Sequence, residues 1–461
     1  MAATTKNRDI SKGATLLIII TTSFLTPFVS SSVNVALPSI GREFALNAVT
    51  LGWIATSFLL ATAMFLVPFG RIADISGRKR IFTCGIIIYT ISSLLSAVST
   101  SATMLISFRV LQGIGSAMTY GTLVAIITSV FPPGERGKIL GIYVASVYVG
   151  LSLGPPIGGF LTQYFGWRSI FLINVPLGLT IITAVIWKLK GEWAEAKGEK
   201  FDFPGAIIYS LSLAAIMYGF SLVPAMLGAW LIAIGILGIF AFIRWETRTK
   251  SPVLNMNVFK NNATFSFSNL AAFINYSATQ AVVFLLSLYL QYIKGFDPHH
   301  AGLVLISQPI VMAVVSPIAG RLSDKIEPRI VASAGMASTT VGLILLTFLG
   351  QNTGLAFILV SLVILGLGFG FFSSPNTNAI MGSVEKKFYG VAAGTVSTMR
   401  VTGQMLSMGT AMLLFALYMG RVQITPEYYP LFLKSFRTAF IIFAVLGFGG
   451  IFASLARGKI R

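Results

Sequence analysis

Gly70-Arg71-Ile72-Ala73-Asp74-Ile75-Ser76-Gly77-Arg78-Lys79-Arg80 and Gly320-Arg321-Leu322-Ser323-Asp324-Lys325-Ile326-Glu327-Pro328-Arg329 stand 250 residues apart and nearly repeat each other. Each is a short charged loop between two long apolar runs. A charged hinge placed at matching points of two hydrophobic halves points to a membrane carrier built by duplication. Many carriers are internal repeats with a binding site between the repeats.

Composition agrees. The chain is 55% hydrophobic and 10% charged, with a mean hydropathy of +0.83. Soluble domains carry about 25% charged residues, so 461 residues with this few charges cannot face water throughout. The first apolar run, Ala14 to Leu37, has no small-residue cleavage site after it and reads as a retained span, not a signal peptide. The single Cys84 excludes an internal disulfide and a thiol metal cluster. A net charge of +19 would suggest nucleic acid in a soluble protein. In this chain it reads as topology information carried by loops, and no nucleic-acid partner is expected.

Runs of about 20 apolar residues are long enough to cross a bilayer. Fourteen are present, near 14–37, 49–70, 81–98, 103–130, 138–163, 168–187, 204–224, 228–244, 263–292, 300–320, 330–349, 353–374, 388–418 and 435–456. With both termini placed in the cytoplasm, 25 of the 33 Lys and Arg residues fall on the inner side and six on the outer. The two left over, Arg109 and Arg400, lie inside spans. This asymmetry favours an even number of spans with both ends inside. Gly137-Lys138-Ile139-Leu140-Gly141 opening span 5 echoes Gly390-Val391-Ala392-Ala393-Gly394 opening span 13. The predicted organisation is therefore a six-helix half over 1–187, a linker with two inserted helices over 188–262, and a second six-helix half over 263–461. The fold class is an all-α polytopic membrane protein.

Several residues inside the spans carry chemistry. Arg109 and Arg400 are guanidinium groups in apolar runs, where a charge is costly and ordinarily faces a protein interior or an aqueous cavity with a partner. Gln112 lies one helical turn after Arg109, and Gln404 one turn after Arg400. In span 9, Asn269, Phe273, Tyr276 and Gln280 recur at helical spacing. Arg109, Gln112, Tyr276, Gln280, Arg400 and Gln404 form the candidate lining of a cavity. For each arginine a second reading stands beside this one: a structural group bonded to neighbouring helices. Gly150 and Gly154 bare one face of span 5, and Pro155 with Pro156 bends it. In the polar loop, Asp74 at a helix end can accept from backbone N–H groups and pair with Arg78 or Arg71. Gly70, Asp74, Gly77, Arg78, Gly154, Pro155 and Asp324 are the candidate gating residues. His299 and His300 follow Asp297-Pro298 in what reads as a solvated loop.

These motifs resemble the major facilitator superfamily, and specifically its fourteen-span drug:proton antiporters. Gly70, Asp74, Gly77, Arg78 and Lys79 match the signature G-x-x-x-D-x-x-G-R-[KR], with Ile75 where a basic residue is usual. Arg109-Val110-Leu111-Gln112-Gly113-Ile114-Gly115 is similar to R-x-x-Q-G-x-G. Gly150 to Gly159 looks like the span 5 motif of exporters, and Asn34-Val35-Ala36-Leu37-Pro38 closes span 1 as in the family. The resemblance implies alternating access between two halves, efflux of amphipathic compounds, a multi-pass cell-membrane location and a monomer.

One departure matters. All 14 acidic residues lie outside the apolar runs. The family typically carries an aspartate five residues before the span 1 asparagine, and Val29 fills that slot. An interior with two arginines and no acid is expected to be electropositive and to favour anionic or neutral solutes over cations. Coupling to protons through rim acids, uncoupled facilitation and anion exchange all stay open. No phosphate-binding G-x-x-x-x-G-K-[ST] is present, and no cofactor is expected. No nucleophile–base or metal set falls within the spans, so an enzyme is not expected. A non-transporting sensor or scaffold is the competing class, and the short loops give it no regulatory segment.

Overall fold

The computed structural model describes residues 12–249, 251–254, 256–260, 262–323, 325–385 and 389–458. It contains fourteen helical spans, numbered here in chain order. The first half comprises Lys12–Glu43, Ala48–Ser76, Arg78–Ala97, Ala102–Val130, Ile139–Phe165 and Arg168–Lys188. Spans 7 and 8 are Phe203–Leu222 and Met226–Glu246. The second half comprises Ala263–Ile293, Pro298–Ser323, Pro328–Leu346, Leu355–Gly382, Val391–Tyr418 and Pro426–Ala456.

Local chemistry sets many of the helix starts. Asn47, Ser101, Asp202, Asn262 and Asp297 each accept a backbone N–H three residues on, which satisfies one of the free donors of a helix N-terminus. Gly77, at φ +118°, makes the turn between spans 2 and 3. That conformation suits a residue without Cβ. A Cβ there would also lie 2.5 Å from Cδ of Glu192.

The duplication is visible in the packing. Span 1 packs on 5, 2 on 4, 3 on 4 and 3 on 6; eight spans later, 9 packs on 13, 10 on 12, 11 on 12 and 11 on 14. The halves meet through a matched pair of contacts, span 2 with 13 and span 5 with 10. Such pairing is the mark of two repeats related by a pseudo-twofold axis. Span 7 straddles the seam, touching span 2 of one half and span 13 of the other. The Tyr209 hydroxyl donates to the Ala63 carbonyl at 3.2 Å, and Ser210 Oγ to the Met64 carbonyl at 2.8 Å. Span 8 packs on span 7 and turns Leu227, Trp230, Leu237 and Phe240 outward.

Glycines allow the close approach of spans 1 and 5. A Cβ at Gly154 would collide with Ser31 Oγ, and one at Gly158 would lie 2.6 Å from Ser32 Cβ. Ser32 Oγ in turn donates to the Gly154 carbonyl at 2.9 Å, beside the prolines.

The two ends of the bundle differ in character. The basic end carries the stretch from Gly70 to Arg80, which is the end of span 2, the Gly77 turn and the start of span 3. The opposite end is closed across the seam. A Cβ at Gly159 would collide with the Pro298 carbonyl, and one at Gly302 with the Pro155 carbonyl. Hydrogen bonds join the halves at that end. Ser287 Oγ donates to the Asn34 carbonyl at 2.7 Å and Gln291 Nε2 to the Val35 carbonyl at 2.9 Å. The Ala48 amide donates to the Val422 carbonyl at 3.1 Å.

Candidate central cavity

Between the halves lies a cavity walled by both repeats. Tyr120, Tyr143 and Tyr148 come from the first half, and Tyr276, Gln280, Phe369, Arg400 and Gln404 from the second. Span 5 presents Tyr143 and Tyr148 because its glycines lie against span 1 and leave its larger residues to face the seam. Span 13 carries Ser397, Arg400 and Gln404 on one face at helical spacing. The cavity holds about 80 Å³ in this conformation. Sites for drug-sized ligands run to roughly 300–1,000 Å³, so a substrate must part the walls or find them parted.

The chemistry of the cavity is a cation among phenols. The Arg400 guanidinium lies 5.2 Å from the Tyr276 ring centre, a cation–π distance. Tyr120, Tyr143 and Tyr148 also face it. Tyr276 meets Phe369 edge to face, with ring centres 5.4 Å apart. The Tyr148 hydroxyl crosses the seam to Ser373 Oγ at 2.6 Å. Arg400 Nε is buried with no hydrogen-bond partner, and no carboxylate lines the cavity. Among the described residues the result is a positive charge without a counter-ion, walled by aromatic faces and hydroxyl groups.

Four of the six predicted lining residues, Tyr276, Gln280, Arg400 and Gln404, therefore come together. Arg109 and Gln112 do not reach this wall. Arg109 is 1% exposed and bound within its own half: Nε donates to the Ile54 carbonyl at 3.2 Å and Nη1 to Gln112 Oε1 at 2.5 Å. Gln112 Nε2 donates to Ser93 Oγ at 2.8 Å. The guanidinium lies 4.4 Å from the ring centre of Phe58, which itself lines the cavity. Arg109 thus stands one layer behind the wall, where its hydrogen bonds are satisfied by spans 2 and 4. Of the span 9 stripe, Asn269 turns back to the Phe265 carbonyl. Val29 is buried in the core of the first half. The three first-half tyrosines escaped the sequence reading. Their signal was a pair of phenols, Tyr143 and Tyr148, in a span otherwise rich in small residues.

Gly70, Asp74, Gly77 and Arg78 lie together at the basic end. Arg78, whose side chain is 6% exposed, donates from Nε to Asp74 Oδ1 at 2.9 Å, as the spacing predicted. It also makes a two-pronged contact with Glu195, at 2.7 and 2.9 Å, and reaches Ser129 Oγ at 2.9 Å. Glu195 belongs to the linker after span 6. Two further linker acids fasten to the same loop: Glu192 accepts from the Lys79 amide at 2.8 Å, and Glu199 pairs with Arg71 at 2.5 Å. The linker backbone joins in, from the Ala196 amide to the Asp74 carbonyl at 2.9 Å. Asp324, the counterpart of Asp74 in the second half, lies outside the described residues. Gly154 lies against Ser31 of span 1, and the Pro155 carbonyl faces Gly302 across the seam.

At the opposite end Glu43 gathers Arg168, at 2.7 and 2.9 Å, and the Trp167 ring N–H at 2.6 Å. Asp297 caps span 10 and takes the His300 ring nitrogen at 2.7 Å. Burial works against the charged form of Asp297, but the hydrogen bonds from His300 outweigh it and hold the carboxyl below its ordinary range. Asp297 and His300 line a wider groove of about 460 Å³, open at the bundle's edge and distant from Arg400.

Two repeated helix bundles around a central cavity define a membrane transport protein. The chain belongs to the major facilitator superfamily, matching it over residues 19–247 and 269–459. It is a multi-pass membrane transporter of small-molecule substrates. Among similar proteins is the riboflavin transporter RibZ of Clostridioides difficile, 32% identical over 84% of this chain and 85% of that protein. The multidrug resistance protein Stp of Mycobacterium tuberculosis is 28% identical over 80% of this chain and 70% of its own length. A tetracenomycin C resistance and export protein of Streptomyces glaucescens is 28% identical over 87% and 74%. The crystal structure of a bacterial homolog to the human lysosomal transporter Spinster, in an inward-facing and unoccupied conformation, superposes with a TM-score of 0.69. It is 18% identical and covers 97% of this chain and 98% of its own.

Proposed function

We propose that this transporter exports small amphipathic aromatic compounds, anionic or neutral, by alternating access of its two halves. One observation carries the reading: the uncompensated guanidinium of Arg400 in a cavity walled by phenols. A cation with no counter-ion in a low-dielectric site attracts an anion or an acceptor atom and repels a second cation. The phenol and Phe rings supply flat apolar faces for an aromatic body, and Gln280 with Gln404 supplies adaptable hydrogen bonds. Export is supported by the names of relatives such as Stp and the tetracenomycin C protein. The riboflavin named for another relative is an aromatic solute with acceptor atoms, which supports the reading.

The basic end is assigned to the cytoplasm, as the distribution of Lys and Arg favours, in a cell membrane with both termini inside. The closed glycine seam is then on the outer side. The protein works as a monomer, because each chain holds both halves. Asp74 and Arg78 steady the basic end in one state and release it in the other.

Purified protein in proteoliposomes tests the reading. Anionic and neutral aromatic compounds should bind and cross, and Arg400→Ala should weaken the anionic members most. Faster flux of an organic dication than of matched anionic or neutral compounds would overturn it.

A further inference from the structure

The cavity holds no carboxylate, yet the chain buries two elsewhere, side by side. Asp202 caps span 7 and Glu246 ends span 8; they are 7% and 3% exposed. A Cβ at Gly205 would lie 2.5 Å from Asp202 Oδ2 and 2.6 Å from Glu246 Oε1, so both oxygens crowd one point. The two carboxyl groups therefore lie against each other across Gly205.

Protein donors satisfy three of the four oxygens. The Gly205 amide reaches Asp202 Oδ1 at 3.1 Å, and the Trp245 ring N–H reaches Oδ1 and Oδ2 at 3.1 and 2.9 Å. The Leu254 amide reaches Glu246 Oε2 at 2.9 Å. Glu246 Oε1 is buried with no donor.

Among the described residues no cation faces the pair. Arg244 and Arg248 on either side of Glu246 are exposed, as are Lys197 and Lys200 of the linker. Arg71 of span 2 is held by Glu199, and Arg400 of span 13 lies in the cavity. Two buried acceptors face each other, and neither has a base to neutralise it. Like charges this close do not both ionise. A proton on either oxygen turns the clash into an O–H···O bond and satisfies the orphan atom.

We infer that Asp202 and Glu246 form a carboxyl–carboxylate pair that binds one proton at the base of the inserted helices. The proton comes from water at the basic end and returns to it, with no other bond made or broken. On the orientation proposed above, that water is cytoplasmic. The site also gives spans 7 and 8 a task. Losing the proton sets two negative charges against each other between the start of span 7 and the end of span 8. Span 7 bears on both halves, through Tyr209 at Ala63 and through Met217 and Phe220 against Gly409. The protonation state is thereby felt at the seam.

Infrared spectroscopy of the purified full-length protein tests this without a substrate, so its failure would leave the transport reading standing. At neutral pH the wild type should show a protonated-carboxyl carbonyl stretch that shifts in D2O. The band should be absent from both Glu246→Gln and Asp202→Asn. Difference spectra with no such band, or with the band unchanged in both variants, overturn the proposal.

Melting gives a second reading. The folded pair holds a proton that the unfolded chain gives up more readily, so wild-type stability should fall as pH rises from acid to alkaline. Glu246→Gln, whose amide N–H replaces the shared proton, should fold and show a flatter dependence. An equal pH slope in both proteins overturns the proposal. So does a rise in melting temperature with calcium or magnesium confined to the wild type, which would assign a metal instead.

Discussion

The two halves share a helix arrangement but not a charge arrangement. In the first half Arg109 is bound by Ile54 and Gln112, and Arg78 by Asp74 and Glu195. In the second half Arg400 stands at the seam, its buried Nε without a hydrogen-bond partner and its guanidinium over the Tyr276 ring. From sequence alone Arg109 and Arg400 are equivalent, each a guanidinium in an apolar span. The difference lies in what surrounds them. Arg109 meets a carbonyl and an amide from its own bundle, while Arg400 meets phenol rings from both. Arg109 is held within its own half, and Arg400 leaves a charge for something else to satisfy.

Replacing the open charge should have the largest effect. Arg400→Ala is expected to weaken binding of an anionic aromatic ligand by roughly 10- to 100-fold, the equivalent of a charge-assisted hydrogen bond of about 1.5–3 kcal/mol. The melting temperature should change little. Titration of ligand into purified protein reads the first effect and a thermal scan the second. A large stability loss with unchanged affinity would make Arg400 structural and erase the contrast.

Arg109→Ala should do the reverse. It strands Gln112 Oε1 in the interior, at about 1–3 kcal/mol for an unsatisfied buried group; the Ile54 carbonyl keeps its place in the span 2 helix. Thermal unfolding should register that loss. Ligand affinity should move less, through slackening of Phe58, which packs under the guanidinium. If affinity falls as far as in Arg400→Ala, Arg109 belongs to the wall after all.

The contrast shows what was legible in the sequence and why the rest was not. The fourteen spans and the duplication follow from local properties, namely run length and repeated loop chemistry, and the structure carries both. The cavity face of span 13 was also readable, since Ser397, Arg400 and Gln404 repeat at helical spacing. The fate of Arg109 was not, because it depends on the Ile54 carbonyl and Ser93 on other spans, which periodicity within span 4 cannot place. Nothing in the sequence pairs the linker acids Glu192, Glu195 and Glu199 with a partner, and only the fold brings them to the Lys79 amide, Arg78 and Arg71. Glu246 read as a loop residue because a span's end gives no sign of whether its last side chain turns inward.

The seam between the halves should yield next. Gly302→Ala places a methyl group against the Pro155 carbonyl. Overpacking costs roughly 1–3 kcal/mol, and the low end is expected because the halves can separate. A bias of ~1 kcal/mol shifts a two-state balance about fivefold. Cysteine labelling at Ser30, a residue of the cavity wall, should become faster from the outer side. Unchanged labelling would mean that the glycine contact does not hold the outer end shut.

The smallest effect belongs to the ion pairs around Arg78. Glu195→Gln removes the two-pronged contact on Arg78 but keeps the size of the side chain. Arg78 retains Asp74 at 2.9 Å and Ser129 at 2.9 Å, and Glu195 is 70% exposed, so water and salt already screen the pair. A change in stability of a few tenths of a kcal/mol is expected, shrinking further as ionic strength rises. Asp74→Asn acts on the same guanidinium from a more sheltered site, 35% exposed, and should slow turnover more than it weakens ligand binding. The pair of variants separates two roles for the loop. If Glu195→Gln slows turnover as much as Asp74→Asn, the linker is a moving part of the gate. If it leaves turnover intact at every salt concentration, the linker acids only fasten the loop, and gating rests with Asp74 and Arg78.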